Sequence, residues 1–129
     1  PYAANRFQQA FDHLDQLKPI LKNGDLEDFI KLVESEALTL HAMMMTSMPY
    51  FMLMKPDTLE IIQKIWQYRE ETKTPVCFTL DAGANVHLLY PSSEKDKVCA
   101  FIEDELAQHC ENGQYIHDHV GAGAVKING

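Results

Sequence analysis

A chain of 129 residues has the length of one ordinary domain, and a 46% hydrophobic content is enough to build a core. Nineteen acidic residues against eleven basic leave a formal charge of −8. This balance excludes the clustered Lys and Arg that nucleic acid or an anionic membrane surface requires, so neither is expected as a partner. No stretch resembles a signal peptide or approaches the ~20 apolar residues of a membrane span. Cys77, Cys99 and Cys110 form no C-x-x-C pair and cannot all pair within the chain, so reduced thiols and a cytoplasmic setting are expected.

Residues 3–17 read as a helix with Phe7, Ala10, Phe11, Leu14 and Leu17 on its apolar side. Pro19 should end or bend it, or start a short further turn. Asn23-Gly24 is a stop signal, and Asp25 can cap the next helix. That helix places Leu26, Phe29, Ile30, Val33, Ala37, Leu40 and Met44 on one face, with Glu27, Asp28 and Lys31 opposite. His41 lies on the flank of the apolar face, where a satisfied packing residue is commoner than a base. Glu34 and Glu36 are two apart, cannot share a helix face, and read as solvated rather than as a catalytic pair. All six methionines lie between Met43 and Met54; a helix end packed on the core is the expectation, a flexible binding groove the alternative.

Pro49 closes the helix, and residues 50–55 form a short apolar stretch, read as a strand. Asp57 and Glu60 offer a capping box for a helix running to about Arg69, with Leu59, Ile62, Ile65 and Trp66 on its buried side. Two strands follow between Pro75 and Pro91. Val76, Phe78 and Leu80 alternate with Cys77, Thr79 and Asp81, and Val86, Leu88 and Tyr90 alternate with His87 and Leu89. Gly83 and Asn85 are the positive-φ candidates for the reversal between them. Ser92 or Ser93 opens a last helix with Val98, Cys99, Phe101, Ile102 and Leu106 as its stripe, ended by Asn112-Gly113. Residues 115–120 read as a final strand. From Tyr50 onward the order is βαββαβ, a ferredoxin-like α+β arrangement in one domain spanning residues 1–129, with two additional helices at its N-terminal side.

Few residues stand out chemically. A carboxylate closing an apolar strand, as Asp81 does, is a turn acceptor or a positioned reactive group, and local sequence favours the turn. His117 and His119 point the same way on a strand, but no third ligand has zinc-like spacing, so no metal site is expected. Gly121-Ala122-Gly123 could let the backbone approach a phosphate. It lacks the Lys-Ser/Thr continuation and is no P-loop.

Three segments together extend this reading. Glu34-Ser35-Glu36-Ala37-Leu38-Thr39-Leu40-His41-Ala42, Ser47-Met48-Pro49-Tyr50-Phe51 and, most specifically, Phe78-Thr79-Leu80-Asp81-Ala82-Gly83-Ala84-Asn85-Val86 resemble the carboxyl-terminal half of the diphosphomevalonate decarboxylases, members of the GHMP kinase superfamily. The last matches that family's Phe-Thr-Φ-Asp-Ala-Gly-Pro-Asn signature, with Φ apolar. The likeness covers essentially the whole chain. It implies an enzyme of isoprenoid synthesis that uses ATP and Mg2+ to phosphorylate the tertiary 3-hydroxyl of (R)-5-diphosphomevalonate, then releases phosphate and CO2 to give isopentenyl diphosphate. Asp81 matches the catalytic aspartate that orients or deprotonates the hydroxyl, with Ala82, Gly83 and Asn85 as the substrate-side turn. Ala84 stands where the family usually has Pro. Ala37 stands where many relatives carry a Ser that can contact the diphosphate, so Ala37 marks that substrate-binding position without its hydroxyl. Gly121 and Gly123 match a glycine pair near the family's end, a weak cofactor-side candidate.

The superfamily's Pro-x-x-x-Gly-Leu-Gly-Ser-Ser-Ala phosphate loop lies in an amino-terminal domain and has no counterpart here. With Pro1 in place of an initiator Met, this implies a piece of a longer enzyme that is inactive alone and that needs its own N-terminal domain to hold ATP and Mg2+. A homodimer of the full-length enzyme is the assembly to test. Two rival expectations are a GHMP kinase acting on mevalonate or phosphomevalonate without decarboxylation, and a non-catalytic ferredoxin-like domain that binds a ligand or partner.

Overall fold

The computed structural model describes residues 2–127. Two long helices come first, α1 (Tyr2–Asn23) and α2 (Leu26–Thr46), followed by α3 (Pro56–Thr72). The hairpin β1 (Cys77–Leu80) and β2 (Val86–Leu89) comes next, then a short 3-10 turn (Ser92–Glu94) leading into α4 (Lys95–Phe101). α4 continues through a π turn, Ile102–Leu106, in which the Ala107 N–H reaches the Ile102 carbonyl. The α+β class expected from the sequence is what forms.

Each boundary has a local cause. α1 runs through Pro19 and stops only at Asn23, before Gly24 at φ +68°. Pro19 sits on the exposed side, where water can take the carbonyl that its missing N–H leaves free. The Asp25 carboxylate then accepts the Asp28 N–H at 3.1 Å and caps α2 as expected. The cap of α3 differs from expectation. The Thr58 hydroxyl, not an Asp57–Glu60 box, accepts the Lys55 N–H at 3.1 Å, while Asp57 turns to His109 Nδ1, 3.0 Å away.

The core gathers Ile62 and Ile65 from α3, Val76, Phe78 and Leu80 along β1, and Val98, Phe101, Ile102 and Leu106 from the last helical run. Tyr68 stacks on Phe101 with ring centroids 4.0 Å apart. The register pairs Phe78 with Leu88 and Leu80 with Val86. These residues therefore share the core side, while Thr79 and His87 share the other. Leu59 and Trp66, expected inside, are partly exposed.

Among the described residues two strands of the ferredoxin-like pattern do not form, and the sheet consists of β1 and β2. Residues 115–120 present Ile116 and Val120 almost fully to solvent. With His117, Asp118 and His119 between them, they have no apolar face to bury against the hairpin. Residues 50–55 lack strand pairing for a related reason. Tyr50, Phe51 and Met52 face solvent, and only Met54 reaches the core. The methionine cluster is accordingly not a packed helix end, because Met45, Met48 and Met52 are exposed.

The N-terminal helices invert the simplest apolar-inside reading. α1 packs on α2, yet Phe7, Phe11, Leu14 and Leu21 point away from it. Arg6 and His13 instead meet Glu36 of α2, His13 Nδ1 lying 2.6 Å from its carboxylate. In α2 the deepest residues are Leu32, Glu34, Ala37 and His41, a face turned from the predicted stripe toward two polar side chains. No described helix is long and apolar enough to cross a membrane.

Candidate active site at the hairpin tip

The polar inner face of α2 has its explanation at β1, against which α2 packs. Glu34, 8% exposed, holds Arg69 of α3 through both carboxylate oxygens, at 2.6 and 3.1 Å. The same carboxylate accepts Trp66 Nε1 at 3.0 Å and the backbone N–H of Phe78 at 3.4 Å. Arg69 also donates to the Val76 carbonyl at 2.9 Å. One ion pair thus ties α2, α3 and β1 together. A buried pair satisfied on both sides resists disruption, because removing one member strands the other. The solvated reading of Glu34 is corrected by this network. That of Glu36 is corrected by its contacts with Arg6 and His13: burial pushes its carboxyl up, but the bonds from His13 and Arg6 outweigh this and hold it below its ordinary range.

Three residues further along α2 comes Ala37, one turn beyond it His41. Ala37 is 3% exposed and belongs to the core. Its methyl packs inside and offers nothing to a substrate, which corrects the expectation of a binding position here. His41, 1% exposed, places Nε2 2.8 Å from the backbone oxygen of Asp81. A carbonyl only accepts, so the hydrogen is on Nε2. His41 is the satisfied packing residue expected, and it fixes the point where β1 ends.

The loop Asp81-Ala82-Gly83-Ala84-Asn85 leaves β1 from that anchor. Its first turn closes with the Gly83 N–H on the Asp81 carbonyl at 2.8 Å. Its far side is held by Thr58 of α3, whose buried hydroxyl donates to the Ala84 carbonyl at 2.8 Å. One side chain from each flanking helix clamps each end of the loop. The turn does not use positive φ, which corrects the expectation for Gly83 and Asn85. A Cβ on Gly83 would meet nothing within 4 Å.

Between these clamps the Asp81 side chain projects outward, 83% exposed, with Oδ2 3.1 Å from His87 Nε2 on β2. His87 faces Thr79 in the register, so Asp81, two residues on, is its diagonal neighbour on the same side. The structure therefore brings Asp81, Ala82, Gly83 and Asn85 together and leaves Ala37 beneath them. Gly121 and Gly123 lie in exposed chain with no helix behind it. Among the described residues, no group of three or more His, Cys, Asp or Glu could hold a metal ion. His117 makes an edge contact with Tyr115, centroids 5.0 Å apart. At the far end of β1 from the loop, burial, reinforced by Glu34, pushes the Cys77 thiol up to about 12 and makes it unreactive.

Sequence reading missed Thr58, His87 and the Glu34–Arg69 pair. A threonine at the third helical position after Pro56 signals a cap. The hairpin register, once drawn, places His87 beside Asp81. No local pattern announces a buried ion pair whose members are 35 residues apart.

Known proteins share this fold. Over residues 2–126 the chain matches the family described as the mevalonate 5-diphosphate decarboxylase C-terminal domain. A phosphomevalonate decarboxylase of Haloferax volcanii is 27% identical over 105 residues, 78% of this chain and 32% of that protein. A mevalonate diphosphate decarboxylase from Legionella pneumophila superposes with a TM-score of 0.76 at 30% identity, over 82% of this chain and 34% of the other. One from Enterococcus faecalis gives 0.77 at 21% identity, over 84% and 34%. The chain thus spans about a third of the length of these relatives. With its residues 2–126 matched, the chain belongs to the mevalonate 5-diphosphate decarboxylase C-terminal domain family.

Proposed function

We propose that this chain is the substrate-side domain of an ATP-dependent decarboxylase that converts (R)-5-diphosphomevalonate to isopentenyl diphosphate, ADP, phosphate and CO2, and that Asp81 is its catalytic residue. The supporting observation is the exposed Asp81 carboxylate on a loop clamped by His41 and Thr58. A tertiary alcohol is a poor nucleophile. A fixed carboxylate accepting its proton aligns the oxygen and increases its negative charge as the new bond forms. Ala82, Gly83 and Asn85 form the surface against which the substrate lies, and the open space beside Gly83 admits it.

ATP and Mg2+ are the cofactors of this reading. A structural neighbour was solved in complex with MVAPP, AMPPCP and magnesium. The described residues of this chain do not themselves build such a site, since they lack a metal-binding cluster and the glycines at 121 and 123 face solvent unsupported. The N-terminal domain of a longer, cytoplasmic enzyme supplies it in this reading, and the 129 residues alone turn over no ATP.

The test is Asp81→Asn in the full-length enzyme. Turnover should fall by about 10² or more while the melting curve stays unchanged, since the side chain is exposed. Intact turnover would mean that the domain holds ligand or partner without performing chemistry. CO2 release separates the decarboxylase from a kinase of the same fold. A substrate carrying one phosphate is the second reading, favoured by the Haloferax volcanii relative, a phosphomevalonate decarboxylase. Relative kcat/KM for the mono- and diphosphorylated acids decides between them.

A further inference from the structure

We propose that His87 is the positioning residue for Asp81, a role that rests on the reading of Asp81 as catalytic. Its Nε2 lies 3.1 Å from Asp81 Oδ2. A carboxylate only accepts, so the hydrogen sits on Nε2 and the imidazole donates. That bond occupies Oδ2 and selects one orientation of an otherwise free side chain, leaving Oδ1 for the substrate hydroxyl.

The backbone makes the arrangement stiff on three sides. His87 is carried by β2 opposite Thr79, and the Asp81 carbonyl is held by His41. The Ala84 carbonyl on the far side of the loop is held by Thr58. Carboxylate and imidazole are therefore aimed at each other by elements that cannot easily shift. An exposed pair of this kind contributes little to stability, so its effect falls on geometry. A misplacement of the reacting group by ~1 Å can cost about a hundredfold in rate.

The groups around the pair are few. From α2 comes His41, bonded to the Asp81 backbone. From α3 comes Thr58, which does not titrate, while Asp57 is turned to His109. His87 is thus the titratable side chain bonded directly to the Asp81 carboxylate.

The experiment uses the full-length enzyme with Asp81→Asn, His87→Ala and His87→Gln, measuring kcat and KM, with thermal melts alongside. His87→Ala should lower kcat about tenfold with KM for the substrate acid nearly unchanged. His87→Gln, whose amide offers a donor at the same reach, should recover most of kcat. Full kcat in His87→Ala or no recovery in His87→Gln would each overturn the role of His87 if Asp81→Asn is dead. Should Asp81→Asn remain active, the catalytic reading of Asp81 falls and this inference falls with it. Should His87→Ala melt early, the glutamine variant carries the test alone.

Discussion

Glu34 shows how much one side chain can decide. Its two oxygens receive Arg69, Trp66 and the Phe78 N–H, so a single carboxylate joins two helices to the strand that ends in Asp81. Replacing Glu34 by Ala leaves the Arg69 guanidinium facing a cavity with only the Val76 carbonyl. A broken buried pair costs about 3–5 kcal/mol. Arg69 keeps some contact with water, its side chain 27% exposed, so about 2–4 kcal/mol is expected for Glu34→Ala. Urea denaturation monitored by Trp66 fluorescence would measure it. A loss under 1 kcal/mol would show that the ion pair is ornamental. Ala37 and His41 continue the same face of α2 and illustrate opposite outcomes. The methyl fills the core, whereas the imidazole holds from the helix side a backbone oxygen that also receives the Gly83 N–H.

The hairpin loop is the element on which function turns, and it is held from outside. Its turning uses no positive φ, so its shape comes from the anchors at Asp81 and Ala84 rather than from residue-specific backbone freedom. Thr58→Val keeps the volume at that position but removes both the bond to Ala84 and the cap on Lys55. It should cost about 1–2 kcal/mol and speed hydrogen exchange in residues 81–85 relative to β1. Gly83→Ala is the complementary change. With open space at Cβ and an ordinary φ, the substitution should leave the unfolding free energy within ~0.5 kcal/mol of the parent. A large loss of stability would mean that the glycine is needed by the fold. Kept stability with weakened substrate affinity would place it against the ligand.

At the scale of the molecule, α1 is bound to the rest largely by polar contacts. Arg6 and His13 meet Glu36 while Phe7, Phe11 and Leu14 look outward. That makes the α1–α2 junction sensitive to acid. The Glu36 carboxyl titrates lower in the folded chain than in the unfolded one. Its contribution is therefore present above about pH 4.3, the ordinary glutamate value, and is lost as pH falls through the folded value. The prediction is a melting temperature that declines on acidification below pH ~4.5, with a shallower decline in Glu36→Gln. Equal slopes for both proteins would place the acid sensitivity elsewhere.

Much of this architecture could be read without coordinates. Apolar spacing marked α2, α3 and the last helical run, because burying one face of a helix demands that period. Alternation around Ala82-Gly83-Ala84 marked the hairpin, and the Phe78–Val86 motif singled out Asp81 and the family. Residues 115–120 form no strand, since a strand needs a face to bury as well as an edge to pair with. The burial of Glu34 and the pairing of half-exposed Glu36 are illegible for a different reason. A charge goes inside only if partners arrive to meet it, and those partners, Arg69, Arg6 and His13, are brought there by the packing of helices distant in sequence. The same holds for the site. Sequence alone named the aspartate; the helices that clamp its loop and the strand that presents His87 to it were decided by tertiary structure, because orientation is a property of the assembled elements and not of any local pattern.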